Sequence, residues 1–349
     1  MALFKVKPQF RRRGKTLSKY GLATPLYVER FSLAATTLDG DYALFGGGTD
    51  LNNQTSMLNV DAYDKSLVKY TPQNFSVGVY DNAATYVGNY ALFGGGYSTG
   101  YGQAISHMPV YDKSLTKIST RYLPNDCFRL TATHLKDYAL FGSGQSNTMR
   151  VVAVDASLTQ HTNLATTWEQ MKATSVGDYA FFGGGYNSNN PVFVISNTLT
   201  YTQCTPMTVE RQAYSSAASV GDYALFAGGQ RSTYPGTTYY DSIEVYDKNL
   251  TKQTTIYLSY ARSNMASISL EDYALFGGGY NSNEAMTVNR YRNEVDAYDK
   301  SLTLTIVPKL SEGKQEFAGA SVGNYALFGG GHLMDFPYRS DKVEVYQVA

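Results

Sequence analysis

The chain has 349 residues, of which 43% are hydrophobic and 17% charged, with 31 Tyr, 32 Gly and a single Trp. Formal net charge is zero, but residues 1–20 hold seven cations and no acid, so the remainder carries −7 and offers no nucleic-acid platform. Two cysteines, Cys127 and Cys204, exclude a disulfide-built scaffold and read as free thiols, and no apolar stretch is long enough to span a bilayer.

In chain order, the first segment is a basic arm over residues 1–15. Lys5, Lys7, Arg11, Arg12 and Arg13 interleave with Phe4, Val6 and Phe10. No apolar block follows the charges, so the segment does not read as an ordinary signal peptide. It is a candidate docking arm for an acidic partner surface, and the one place where nucleic acid could bind. A strand is predicted next, over Leu17–Ala23.

From Asp41 onward the chain repeats itself. DYALFGGG at Asp41 returns at Asn89, Asp137, Asp178, Asp222, Asp272 and Asn324 with small changes. Spacings of 48, 48, 41, 44, 50 and 52 residues fit one four-stranded propeller blade per repeat. Strand A precedes the motif, as in Leu33–Leu38 and Ser216–Val220. Strand B is the YALF run, apolar on both faces. Strand C is VDAYD at Val60 and Val295, IEVYD at Ile243 and VEVY at Val343, with its Val and Ala positions expected to face inward. Strand D follows, as in Leu67–Thr71. SVGDY and DGDY make a tight A–B turn, and DKSL or DKNL a C–D turn with Asp bonding the backbone ahead. The Gly doublets let backbones converge between blades.

The seventh repeat stops after strand C. TLSKYGLA at Thr16 matches SLVKYTPQ at Ser66, so the ring is predicted to close with Leu17–Ala23 beside Val343–Tyr346. The expectation is an all-β fold: a seven-bladed β-propeller of four-stranded antiparallel blades over residues 16–349, closed by an N-terminal strand.

A strand ending in a Gly doublet, followed by V-x-x-Y-D, resembles the kelch repeat, and the resemblance spans residues 16–349. It implies the same propeller fold. Strand D lacks the usual Trp: the one Trp is Trp168, and Tyr70 stands in. Blades 3 and 4 replace the Tyr-Asp pair by Val154-Asp155 and Ile195-Ser196, which predicts less regular blades. The wording VGNYALFGGG…VDAYDKSLT is similar to kelch-like proteins of bacteriophages and prophages. That resemblance implies a virion-associated protein, with the bacterial cytoplasm as the alternative location.

In a propeller the A–B and C–D turns share one face, and the B–C and D–A connections share the other. Here the second face holds nearly all the variation, which is where recognition is expected. Its B–C loops run over 49–59, 97–108, 145–150, 186–190, 230–241, 280–293 and 332–340. They supply Tyr97, Tyr101, Tyr186, Arg231, Tyr234, Tyr239, Tyr280, Arg290, Tyr291, Phe336, Tyr338 and Arg339, a paratope-like set. The D–A connections add Arg30, Arg211 and Arg262 as candidate cations around the central opening. The expected partner is a neighbouring virion protein or a host-surface glycan, or a protein partner if the chain is an intracellular adaptor. No membrane insertion is expected.

Chemistry-bearing motifs are sparse. His107, His134, His161 and His332 show no metal-ligand spacing and read as surface or turn residues, so neither metal nor cofactor is expected. The chain reads as a non-enzyme. A sugar-modifying propeller would need paired carboxylates at the pore, for which Glu29, Glu210 and Glu316 are the candidates.

Overall fold

In a computed structural model of the chain, the described residues are 15–50, 54–142, 144, 150–162, 164, 169–186, 189–212, 215–284 and 290–349. The basic-arm residues Lys5, Lys7, Arg11, Arg12 and Arg13 lie outside them, as do Trp168 and most of the blade 3 B–C loop. Every regular element among the described residues is a β-strand, and no helix is long and apolar enough to cross a membrane.

The strands form seven antiparallel meanders, one per repeat. Strand A occupies Ala34–Leu38, Ala83–Val87, Thr131–Leu135, Lys172–Val176, Ser216–Val220, Ala266–Leu270 and Ala318–Val322 in blades 1 to 7. Each A strand lies against the next, and the seventh lies against the first, so these strands line the central channel. Blade 7 takes its outer strand from the N-terminus: Leu17–Ala23 pairs antiparallel with Val343–Val348, Leu17 opposite Val348 and Ala23 opposite Val343. Strand D of blade 1 is only Lys69–Tyr70, because Leu67 belongs to the turn with φ of 60°. Blades 3 and 4 keep the same four-strand order as the others.

The hydrophobic core is seven slabs rather than one centre. Each buried cluster mixes residues from two neighbouring blades: Leu44 and Val60 of blade 1 pack with Phe93 and Tyr111 of blade 2, and Phe45 and Tyr63 pack with Leu327 and Val345 of blade 7. The repeat motif is written for this contact. A Cβ on Gly46 would come within 2.7 Å of the Phe93 ring in the next blade, and one on Gly94 within 2.7 Å of Phe141. The strand B glycine is therefore the seat for the neighbour's strand B phenylalanine. Gly48, at φ 107°, donates its N–H to the Val79 carbonyl of blade 2 at 2.8 Å. The strand C tyrosines also cross blades: Tyr63 Oη donates to the Thr24 carbonyl at 2.7 Å, Tyr111 to Gln73 at 2.6 Å and Tyr346 to Pro308 at 2.7 Å. Val154 and Ile195 remove that bond from blades 3 and 4 without changing their strand order.

Strand C departs from simple alternation, since Val60, Asp61, Ala62 and Tyr63 are all buried. The neighbouring blades cover both faces of the strand, as strands C of blades 3 and 4 show, where the equally buried positions carry no charge, and an acid at the second position is therefore buried and needs a partner. Arg30, Arg211 and Arg262 are buried inside the blades and do not reach the opening. Arg30 Nη2 meets Asp61 at 2.7 Å and Arg262 Nη2 meets Asp296 at 2.7 Å. Arg211 bonds Ser242 at 2.7 Å, with Glu244 at 3.9 Å. Strand D lysines answer the same acids: Lys69 on Asp61, Lys252 on Glu244, and Lys19 of the closing strand on Glu344 at 2.8 Å. In blades 2 and 3 the equivalent positions are Val79 with Pro109 and Cys127 with Val152. Cation and acid are thus replaced together, as expected when a lone buried charge costs more than the pair gains.

Arg262→Leu alone is expected to destabilise the fold by about 3 kcal/mol, because buried Asp296 loses its cation and keeps only the Ser259 amide and hydroxyl as donors. The double variant Arg262→Leu/Asp296→Val should recover most of that loss, by analogy with blades 2 and 3. Chemical denaturation of the three proteins decides it, and an additive double variant would contradict the coupling.

Candidate functional site at the channel mouth

Turns on the A–B and C–D face are tied by exposed ion pairs, such as Lys65 with Asp41 at 2.6 Å and Lys113 with Asp39 at 2.7 Å. Asp64 Oδ1 accepts from the Ser66 and Val68 amides, so this face is spent on holding turns.

The opposite face is built differently. Two residues before strand A, six of the blades turn a described residue into the channel. Blades 1, 2, 3, 4, 6 and 7 place Ser32, Asp81, Arg129, Gln170, Asn264 and Glu316 there, and all six have φ between 46° and 60°. Tyr214 holds the blade 5 position and lies outside the described residues. Left-handed backbone is uncommon for such residues and persists where the surroundings impose it. Among the described residues an arc of backbone hydrogen bonds links five of the six, from blade 6 round to blade 3. Ser32 N donates to the Glu316 carbonyl at 2.8 Å, Asp81 N to Ser32 at 3.0 Å, Arg129 N to Asp81 at 2.8 Å and Glu316 N to Asn264 at 3.2 Å. With backbone groups committed along this arc, the side chains are left to line the cavity.

These six residues line one cavity of about 320 Å³, together with Tyr80, Asn82, Phe128, Lys172, Ser215 and the edges of Leu33, Leu130, Met265 and Phe317. Asp81 and Arg129 approach to 3.5 Å. Ser32 Oγ donates to Glu316 at 3.0 Å. Burial, and then the nearby Asp81 charge, push the Glu316 carboxyl up to about 6. Burial also raises Asp81, against the opposing pull of Arg129 and Lys172. Lys172 is lowered by burial, with Asp81 working the other way.

Two runs of aromatic rings cross between blades on this face, and Tyr80 and Phe128 of one run line the cavity itself. Rings run from Tyr239 to Tyr280 at 6.2 Å, Tyr291 at 5.3 Å, His332 at 5.6 Å and then Phe31, stacked at 4.8 Å. A second run joins Tyr80, Tyr97 and Phe128 at 5.5 and 5.6 Å. Tyr101, Tyr186, Tyr234, Phe336 and Tyr338 are exposed on outer loops, with Tyr234 and Phe336 open over nearly their whole surface. Tyr234 caps a hairpin of Gln230–Thr233 and Gly236–Tyr239.

The loop arginines bond within this face. Arg231 pairs with Glu210 at 2.9 Å, Arg339 with Glu29 at 3.8 Å, and Arg290 Nε donates to the Glu284 carbonyl at 3.0 Å. Of the three acids singled out by sequence, only Glu316 enters the cavity. His134 is no turn residue: it lies in strand A of blade 3, stacked on Tyr86 at 3.9 Å. Among the described residues no group of three or more His, Cys, Asp or Glu is placed to hold a metal ion. Asp81, Arg129 and Lys172 escaped sequence reasoning. For Asp81 and Arg129 the signal was present, since a position that differs in every copy of an otherwise repeated sequence marks a site freed from the repeat's structural demands; Lys172, at the start of a strand A where most copies carry a small residue, gave only its own departure from the repeat.

Comparison with known proteins adds a fold relative. No family model matches the chain, and no curated protein matches it. Among solved structures the chain is similar to one titled "Structure of YjhT", at 13% identity and a TM-score of 0.57, covering 93% of this chain and 96% of that one. At that identity the likeness bears on the propeller fold alone.

Glu316 binds its proton more tightly folded than unfolded, where 4.5 is the ordinary value. Its contribution to stability is therefore highest below about 4.5 and falls as pH rises towards about 6. Glu316→Gln should flatten that part of the melting-temperature profile and gain on wild type above pH 6. A difference between the two proteins that is constant from pH 4 to 8 would contradict the assignment.

Proposed function

We propose that this chain is a non-enzymatic binding propeller that holds a host-surface glycan in the mouth of its channel. The observation that carries the reading is the ring position: near-identical repeats, with a different polar residue turned into the same cavity in each described blade. Convergent donors and acceptors in a concave site, bordered by aromatic faces, suit a polyhydroxylated ligand. The ring supplies hydroxyl, carboxylate, guanidinium and amide groups, and Tyr80 and Phe128 supply flat apolar surface for a sugar face. The exposed outer tyrosines extend the contact beyond one residue of a polymer. The phage-particle setting is part of the proposal and is supported only by the repeat's resemblance to kelch-like phage proteins. A neighbouring virion protein is the competing partner, and an intracellular adaptor role the competing setting.

A second reading has one observation in its favour. Asp81 and Glu316 bring two carboxyl groups with raised pKa into one cavity, the arrangement a sugar-modifying propeller would use for proton transfer.

Glycan-array binding separates these readings. Wild type should retain bacterial surface polysaccharides, and Arg129→Met should lose about tenfold or more in affinity with little change in melting temperature, since a lost charge-assisted hydrogen bond is worth that much. Tyr234→Ser should weaken polymers more than short oligosaccharides. No retention of any glycan, with capture of a virion protein instead, would overturn the glycan reading. NMR of the recovered sugar tests the second reading: a changed anomeric or ring configuration would replace binding by catalysis.

A further inference from the structure

We propose that the channel mouth is a bipolar socket for a sugar that carries both an ammonium group and a fixed anion, the ammonium seated at Glu316 and the anion at Lys172. This rests on the reading that the mouth binds glycans, and it names the class.

The cavity is lined by four charged groups, three at ring positions and the fourth, Lys172, at the start of strand A in blade 4. Asp81 and Arg129 stand on adjacent blades and answer each other at 3.5 Å. Glu316 and Lys172 are different. Among the described residues neither has an ion-pair partner, although both line the cavity. Glu316 is met by the Ser32 hydroxyl at 3.0 Å, a neutral donor. They belong to blades 7 and 4, on opposite arcs of a seven-membered circle. A negative and a positive group thus face the same cavity from its two sides, each partly stripped of water by the wall.

Charges held in this way lose hydration that a partner must restore. A neutral sugar restores neither. A purely anionic sugar answers Lys172 and meets Asp81 and Glu316 with like charge. A purely cationic sugar does the reverse with Arg129 and Lys172. Only a ligand with separated opposite charges satisfies both ends through charge-assisted hydrogen bonds. Ser32 and Asn264 lie around the circle between those ends, Gln170 sits beside Lys172 in blade 4, and all three are neutral, which suits the hydroxyls of the sugar ring. Because the four charges cancel, the mouth attracts neither cations nor anions as such; it selects the separation of charge.

Isothermal titration at about pH 7 with glucosamine 6-sulfate, glucosamine, glucose 6-sulfate and glucose tests this, the sulfate and ammonium both being charged there. Glucosamine 6-sulfate should bind wild type about tenfold or more tighter than either singly charged sugar. Glu316→Gln should erase its advantage over glucose 6-sulfate while keeping its advantage over glucosamine. Lys172→Met should do the converse. Melting curves of both variants guard against misfolding, and a variant that unfolds is replaced by Glu316→Asp or Lys172→Gln. Equal affinity for the four sugars, or variants that lose affinity for all four alike, would overturn the socket and leave the glycan reading intact. If none of the four binds while a neutral polysaccharide does, the socket is again wrong and glycan binding stands. Failure of wild type to bind any carbohydrate would remove both.

Discussion

Closure of the circle is the constraint on which the rest of the structure depends. The apolar faces of each blade are covered by the blades on either side. Seven blades therefore need seven interfaces, and the seventh forms only when blade 7 meets blade 1. Pairing of Leu17–Ala23 with Val343–Val348 makes that last blade complete. It also removes a sheet edge that would otherwise invite pairing with other chains. Lys19 shows how fully the closing strand has taken on its role, since it holds Glu344 as Lys69 holds Asp61.

The same closure creates the candidate site. The arc of backbone hydrogen bonds through Asn264, Glu316, Ser32, Asp81 and Arg129 crosses the seam between blades 7 and 1, at the bond from Ser32 to Glu316, and is continuous only when the ring is closed. It links residues held in left-handed backbone and leaves their side chains to line the cavity. Structural duties are carried elsewhere: by glycines that seat the neighbour's phenylalanine, by strand C tyrosines that cross to the preceding blade, and by buried cation–acid pairs. With those positions committed, the ring position is free to differ from blade to blade. A rigid frame with one variable ring is what a selective binding surface requires.

Most of the fold was legible because the repeat encodes it locally. Strand B, the Asp-capped C–D turn and the closing strand follow from YALF, DKSL and the match between TLSKY and SLVKY. Charged residues were harder to place. Arg30, Arg211 and Arg262 look like pore cations in sequence, since they recur in the connection leading to strand A. They lie inside the blades because each has a buried partner one strand away in space and about thirty residues away in the chain. Strand C alternation failed because neighbouring blades cover both faces of the strand, with or without a buried acid in it. At the mouth, Glu316 could be named from its connection. Asp81, Arg129 and Lys172 could not, because their meeting depends on a circle of blades that no single repeat describes. The outer tyrosines were legible as exposed. Their grouping into two runs of rings was not, as those contacts join residues of different blades.

The measurement that bears most directly on this account is the thermal unfolding of a variant lacking residues 1–23, followed by near-ultraviolet circular dichroism. Loss of the closing strand should lower the melting temperature by roughly 10 °C or more, since each kcal/mol is worth about 2–4 °C in a domain of this size. The near-ultraviolet signal of the tyrosine-rich blade interfaces should weaken at the same time. An unchanged melting temperature and spectrum would mean that the ring holds without its N-terminal strand, and the account of closure and of the site built on it would be wrong.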